Sequence, residues 1–296
     1  MENDLNLRRR NPVAGVTKVE GKFHQMTTST ATATMNIAIL ASGSSGNSLY
    51  IESEQKKILV DAGLSGKKIT SLLAEVGRKP DDLDAILVTH EHRDHIHGVG
   101  VMARKYKLDI YANEKTWAAM DPMIGNVPLE QKQIFEMGKV LTLGDLDIES
   151  FGVSHDAAAP QFYSFHKNDK SFVMLTDTGY CSDHVRGVIR NADAYLLESN
   201  HDLEMLRMGP YPWNLKQRIL GDHGHLSNED GALVAADIIG DKTKRIYLGH
   251  LSKENNLKEL AHLTMENTLR EHDLGVGYDF DVYDTDPDRA CELFSL

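Results

Sequence analysis

The sequence predicts an α/β fold with substantial antiparallel content, and three observations carry that reading. Short β-branched runs alternate with stretches of helical periodicity along most of the chain. Several of those runs end in an Asp or a His, the place where α/β sheets put their chemistry. Lys167-Asn168-Asp169-Lys170 lies between two strand-like runs and has the composition of a hairpin turn.

Taken in order, strands are expected near 36–40, 48–52 and 57–61, and a helix near 65–76 follows. Asp84-Ala85-Ile86-Leu87-Val88 has the length and β-branched content of a buried strand, set at 84–89. Helices near 95–106 and 114–120 flank a strand near 109–112. Strands near 134–136, 140–143, 147–153, 161–166 and 171–176 then form a nearly helix-free stretch. Beyond it come a helix near 182–190, a strand near 193–198, and helices near 202–207, 213–219 and 227–238. A strand near 245–249, a helix near 256–270 and a strand near 279–283 complete the pattern. Residues 1–34 differ from the rest: they carry Arg8-Arg9-Arg10 and a Ser/Thr/Ala run but no usable periodicity. They are expected to be a disordered leader or tag, with a single folded domain over 35–296.

Composition narrows the function classes. A chain of 296 residues suits one large α/β domain or two small ones, and no apolar stretch approaches a membrane span. Cys181 and Cys291 are the only cysteines and lie far apart, so there is no disulfide framework and a cytoplasmic location is the simplest expectation. The net charge of −12 is unlike a protein that grips duplex phosphates with a broad basic face. The pairs Lys67/Lys68, Arg78/Lys79, Arg186/Arg190 and Lys216/Arg218 read mainly as solvated helix faces. Any nucleic-acid contact is therefore expected to be local to a cleft. No membrane partner is expected, and nothing specifies an oligomeric state.

Thr89-His90-Glu91-His92-Arg93-Asp94-His95 is the most informative stretch. It packs three imidazoles and a carboxylate onto the turn after a strand. That donor set suits Zn²⁺, Mn²⁺ or Fe, and it includes no thiolate. His90 and His92 can converge on one ion from alternate positions of an extended turn. Asp94 and His95 would then point elsewhere, with Asp94 either a helix N-cap or a ligand to a second ion. His155, Asp177 and His250 end later strand-like runs. Each alone has an ordinary structural reading, as a turn residue or a hydrogen-bonded histidine. Together they point to a dinuclear metal site.

This arrangement resembles the metallo-β-lactamase-fold hydrolases, through His-x-His-x-Asp-His at 90–95 followed by His155, Asp177 and His250 in the family's order. Asp61, in Ile58-Leu59-Val60-Asp61-Ala62-Gly63, also matches. The resemblance covers most of residues 35–285 and implies a four-layer αβ/βα sandwich with mixed sheets. It also implies His90, His92 and His155 on one metal, Asp94, His95 and His250 on the other, Asp177 bridging them, and Asp61 orienting the ligand loop from behind. Within the superfamily the finer resemblance is to the WalJ/YycJ-type exonucleases. It is carried by Leu40-Ala41-Ser42-Gly43-Ser44-Ser45-Gly46-Asn47-Ser48, Ser154-His155-Asp156-Ala157, Glu198-Ser199-Asn200-His201 and Gly224-His225-Leu226-Ser227-Asn228.

The expected activity is metal-dependent phosphodiester hydrolysis, as a 5′–3′ DNA exonuclease using a hydroxide held by two divalent metals, Zn or Mn and conceivably Fe. On zinc, the pKa of a bound water falls to about 7. Asp94 and His225 are the catalytic candidates, His225 as donor of the leaving group's proton or as a phosphate contact. Ser44, Ser45 and Asn47 are candidate substrate contacts, because Gly/Ser loops approach phosphates with backbone N–H groups and hydroxyls. The same loop also reads as an ordinary turn, and His225 as part of a loop feeding a helix capped by Ser227 or Asn228. The alternatives are a thioester or lactone hydrolase, a small-molecule phosphodiesterase, and a non-enzymatic metal-binding regulatory protein. The Ser-Gly-Ser-Ser-Gly-Asn loop argues against the thioesterase, and the complete ligand set against the non-enzymatic protein.

Overall fold

Strand β1 (Asn36–Ala41) opens a seven-stranded sheet that continues with β2 (Ser48–Glu52), β3 (Lys57–Val60), β4 (Ala85–Leu87), β5 (Asp109–Ala112) and β6 (Lys132–Ile134), as given by a computed structural model describing residues 34–296. The leader expected at the start of the chain falls, over residues 1–33, outside the described residues. A second seven-stranded sheet holds β7 (Val140–Leu143), β8 (Leu146–Gly152), β9 (Gln161–Lys167), β10 (Lys170–Leu175), β11 (Ala194–Glu198), β12 (Arg245–Gly249) and β13 (Asp281–Asp284). The strand β14 (Phe294–Ser295) pairs antiparallel with β1 and completes the first sheet. Both sheets are mixed. In the first, β3 to β6 are parallel, and in the second β10 to β13 are parallel while β7 to β10 form an antiparallel meander.

Period-two alternation explains the layering. In β1, Ile37 and Ile39 face the core between the sheets, while Ala38 and Leu40 face the helices outside. Tyr50, Leu59 and Ile86 join the outer set, with Ile69, Leu72 and Leu73 of α1 (Gly66–Glu75) and Met102 of α3 (Val99–Tyr106). Helix α4 (Glu114–Ile124) completes that cover through Trp117 and Met120. On the far side, α5 (Asp183–Ile189), α8 (Asn228–Ile238) and α9 (Lys258–Glu271) cover the second sheet. Each of the fully buried Leu and Ile side chains contributes on the order of 1.5–3 kcal/mol through its removal from water. The result is the four-layer sandwich of helices, two sheets and helices.

Local chemistry sets the helix starts. Ser65, Asn113 and Ser227 cap α1, α4 and α8 by accepting from Lys68 N, Thr116 N and Asp230 N. The expected helix over 95–106 is instead two: a single turn, α2 (Arg93–Ile96), and α3. The cause is tertiary. Gly98 N donates to Ala62 O at 2.7 Å, and a Cβ at 98 would stand 2.3 Å from Leu64 O. Helix α4 runs past 120 with Pro122 inside its last turn. The strand expected at 134–136 lies at Lys132–Ile134, and β14 is too short to leave a periodic signal. The hairpin at 167–170 is present, with Asn168 in the left-handed region at φ 55°. Among the described residues, no helix is long and apolar enough to cross a membrane.

Candidate metal centre

Strand direction brings the polar residues to one end of the molecule. The carboxyl ends of β3 and β4 supply Asp61 and the 89–95 turn, and those of β10, β11 and β12 supply Asp177, Glu198 and His250. His155 follows β8, which runs the same way as β10 because both lie antiparallel to β9. Asp61, Asp177 and His250 all have positive φ, at 59°, 51° and 55°. A left-handed residue at a strand end turns the chain abruptly and is costly for anything but Gly, Asn or Asp. Its recurrence at these strand ends shows that the backbone is bent to aim side chains inward.

The structure brings all seven candidate ligands together. His90, His92 and His155 offer nitrogens within 4.8 Å of one another, and so do the donor atoms of Asp94, His95 and His250. His155 Nε2 stands 3.2 Å from His92 Nδ1, and its Nδ1 donates to Gly224 O. Asp177 lies between the two groups, 3.4 Å from His95 Nε2 and 3.9 Å from His155 Nε2. His90 Nε2, His250 Nε2 and Asp177 Oδ2 are buried without a hydrogen-bond partner. Such orphaned acceptors in the centre of a protein are costly, and divalent cations between them would satisfy all three. The donor set, imidazole and carboxylate without thiolate, suits Zn²⁺ or Mn²⁺.

Electrostatics agrees with a site built for positive charge. Burial holds His90 well below the usual imidazole pKa. Burial also acts against a charged His250, yet the neighbouring Asp177, Asp94 and Glu198 carboxylates lift it to about 10. His95 is raised in the same way by Asp177, Asp94 and Asp61 against the effect of its burial. The buried carboxylates around these rings thus favour positive charge at this place.

Two buried carboxylates hold the imidazoles from behind. Asp61 accepts from His95 Nδ1 at 2.8 Å, from Thr89 N at 2.9 Å and from the Thr89 hydroxyl at 2.8 Å. Glu198 accepts from His250 Nδ1 at 3.0 Å and His225 Nδ1 at 2.8 Å, while its other oxygen takes Thr178 N and Leu226 N. Glu198 was not among the residues expected at the site. Its signal in the sequence is a charge ending the otherwise apolar run Ala194-Tyr195-Leu196-Leu197.

The remaining candidates divide. His225 lines a cavity of about 310 Å³ together with His92, Asp94, His155, Asp177 and His250. Ser44 lines that cavity too, and Ser44 and Ser45 line a neighbouring groove beside Arg93 and His97. Asn47 is buried instead. Its Oδ1 accepts from Gly43 N at 3.0 Å and its Nδ2 donates to Asp94 Oδ2 at 3.3 Å, so it contacts the site's own residues. The backbone N–H groups of Gly43, Gly46 and Asn47 are likewise spent inside the fold. Asp94 is not a helix N-cap: His92 occupies that position, without a side-chain bond, and Asp94 lies in the first turn of α2. Gly63 permits this crowding, since a Cβ there would stand 1.6 Å from Asp94 O.

Comparison with known proteins follows the same lines. Residues 56–251 match the model of the β-lactamase superfamily domain. The chain is 70% identical over 261 residues to the exodeoxyribonuclease WalJ of Streptococcus pneumoniae serotype 2 (strain D39 / NCTC 7466), covering 88% of this chain and 97% of that protein. It is 57% identical over 259 residues to the exodeoxyribonuclease YycJ of Bacillus anthracis, covering 88% and 98%. The metallo-β-lactamase fold protein YhfI of Bacillus subtilis superimposes with a TM-score of 0.67 at 16% identity, covering 89% of this chain and all of that one. Unliganded yeast PDE1 gives 0.64 at 14%, covering 88% and 99%. At such identities these two structures speak for the fold alone. From sequence match and architecture together, the chain belongs to the β-lactamase superfamily and has the metallo-β-lactamase fold.

Proposed function

We propose that the protein is a metal-dependent exodeoxyribonuclease that removes nucleotides from the 5′ end of DNA. The observation that carries this reading is the 70% identity to an exodeoxyribonuclease across nearly all of that relative's length. His90, His92 and His155 would hold one divalent ion, Asp94, His95 and His250 the other, and Asp177 would serve both. When bound, the ions supply Lewis-acid stabilisation of phosphate charge and a water made acidic enough to act as nucleophile near neutral pH.

The chain's own residues do the rest. Asp61 and Glu198 fix the tautomers of His95 and His250, so that each presents Nε2 to the site. His225 is tethered through Nδ1–H to Glu198 and lines the cavity, so that as an imidazolium it can hand its Nε2 proton to the leaving alkoxide and remain neutral with its proton on Nδ1. Ser44 stands at the cavity edge as a hydroxyl for a phosphate oxygen. Asn47, buried against Asp94, acts in this reading by positioning that carboxylate.

The test is digestion of 5′- and 3′-labelled single- and double-stranded DNA by the purified protein with Mn²⁺ or Zn²⁺, beside a thioester. Release of labelled mononucleotides from the 5′ end is the expected result. Intact DNA together with a cleaved thioester or lactone would overturn the substrate assignment.

A further inference from the structure

The cavity walls are chemically unequal. One wall is polar, with Ser44, Asn200 and Ser252. Another part of the lining is apolar and aromatic: Tyr211, just ahead of α7 (Trp213–Ile219), and Leu215 and Ile219 on it, spaced four residues apart. Tyr211 is only half-buried, and no protein group is hydrogen-bonded to its hydroxyl among the described residues. An aromatic left half open beside a metal-type cluster is an available stacking surface.

That wall is held rigidly. The buried Lys216 Nζ donates to Arg207 O at 2.7 Å and Gly209 O at 2.8 Å, fastening α7 to the end of α6 (Leu203–Met208). Pro210 and Pro212 flank Tyr211 and restrict its backbone. The rigid mounting means that little side-chain or loop entropy is lost when a ligand settles against it.

Charge gives the independent argument. A protein of net charge −12 gains little from phosphate neutralisation, and Arg218, the one Lys or Arg in the cavity lining, is already paired with Asp156. Affinity for a nucleic acid beyond what the metal-type cluster gives its phosphate must then come from an interaction that does not depend on net charge. Base–aromatic stacking is such an interaction, and it is available only to unpaired bases. A cavity of about 310 Å³ also falls at the small end of ligand pockets, of a size for one nucleotide unit and far too small for a duplex.

We infer that Tyr211, backed by Leu215 and Ile219, is the platform on which the unpaired terminal base of the DNA stacks while its phosphodiester lies over the metal-type cluster. The inference rests on the exodeoxyribonuclease reading. It makes the enzyme one that draws in single-stranded or frayed ends one nucleotide at a time, with blunt duplex ends used only as fast as they open.

The experiment crosses the protein variant with the substrate. Wild type, Tyr211→Ala and Tyr211→Phe, each loaded with Mn²⁺, are compared on a single-stranded oligonucleotide and on the same oligonucleotide with an abasic 5′-terminal residue. Metal content and thermal midpoint are measured alongside. Tyr211→Ala should raise KM for the normal oligonucleotide roughly 5- to 100-fold with metal content unchanged, and Tyr211→Phe should stay near wild type. The abasic end should raise KM for wild type by a similar factor and have little further effect in Tyr211→Ala. Equal abasic penalties in wild type and Tyr211→Ala would overturn the stacking role while leaving the nuclease assignment intact. A metallated wild type that digests no DNA would overturn that assignment and the stacking inference with it. Should Tyr211→Ala fail to fold, the abasic penalty in wild type against Leu215→Ala decides the same question.

Discussion

The two halves of the site are braced in the same way but assembled differently. In the first half, Asp61 stands behind His95, and the imidazoles it organises come from one turn, 89–95. In the second half, Glu198 stands behind His250 and His225, and the side chains come one at a time from separate strand ends and loops. A contiguous motif can be positioned by one carboxylate and one threonine. A dispersed set depends on the whole second sheet holding its register, and Glu198 therefore serves two histidines and two backbone N–H groups at once. Local assembly makes the first half robust, and long-range assembly makes the second half sensitive.

Asp177 is the place to probe this division, because it lies between the two ligand groups, each of which draws on both halves. Asp177→Asn keeps a residue that tolerates the left-handed backbone but removes the charge. Metal analysis should fall from about two ions per chain to less than one, with activity lost, since a ligand shared by both ions is weakened for both. One ion retained at full occupancy would show that the two ions bind independently. His225→Ala comes next in size: turnover should drop about 10²–10⁴-fold with metal content unchanged. Loss of metal in that variant would place His225 among the ligands instead.

A direct comparison of the braces is smaller in effect but more discriminating. Asp61→Asn and Glu198→Gln should each cost roughly 10–100-fold in metal affinity or activity. Asp61→Asn is expected to act on metal affinity alone, with turnover recovered at high metal. Glu198→Gln should leave a turnover defect that added metal does not rescue, because His225 also depends on it. Identical rescue curves would mean the two carboxylates are equivalent. The smallest effect is expected for Asn47→Ala, which removes a buried amide from the first half. It should lower unfolding stability by about 1–3 kcal/mol in a denaturant titration of the apo protein.

The same division explains what was legible in the sequence. His90, His92, Asp94 and His95 stand out because six consecutive positions after a strand carry them, and the strand itself follows from Ala85 to Val88. His155, Asp177 and His250 are visible only as residues that end strands. Glu198 is harder still, since its partners lie 27 and 52 residues away and no local pattern records them. Asn47 resembles a loop residue until Asp94 is brought beside it by the fold. The break between α2 and α3 belongs to the same class: helical periodicity runs on through Gly98, and it is the distant Ala62 carbonyl that takes the Gly98 N–H out of the helix. Tyr211 carries no motif at all, and its place is set by which face of α7 meets the cavity.

The left-handed backbone at Asp61, Asp177 and His250 has a consequence for anyone evolving this protein toward heat resistance. A left-handed residue other than Gly, Asn or Asp costs on the order of 1–2 kcal/mol, and of the three only His250 bears it. Glycine at His250 would relax the turn and raise the melting temperature of the empty protein, even as it discards a group the site is built around, whereas glycine at Asp61 would strand the buried donors of Thr89 and His95. A selection that rewards survival at high temperature without asking for activity should therefore drift first to position 250. It would return hardier proteins whose sheets are intact and whose centre no longer gathers metal.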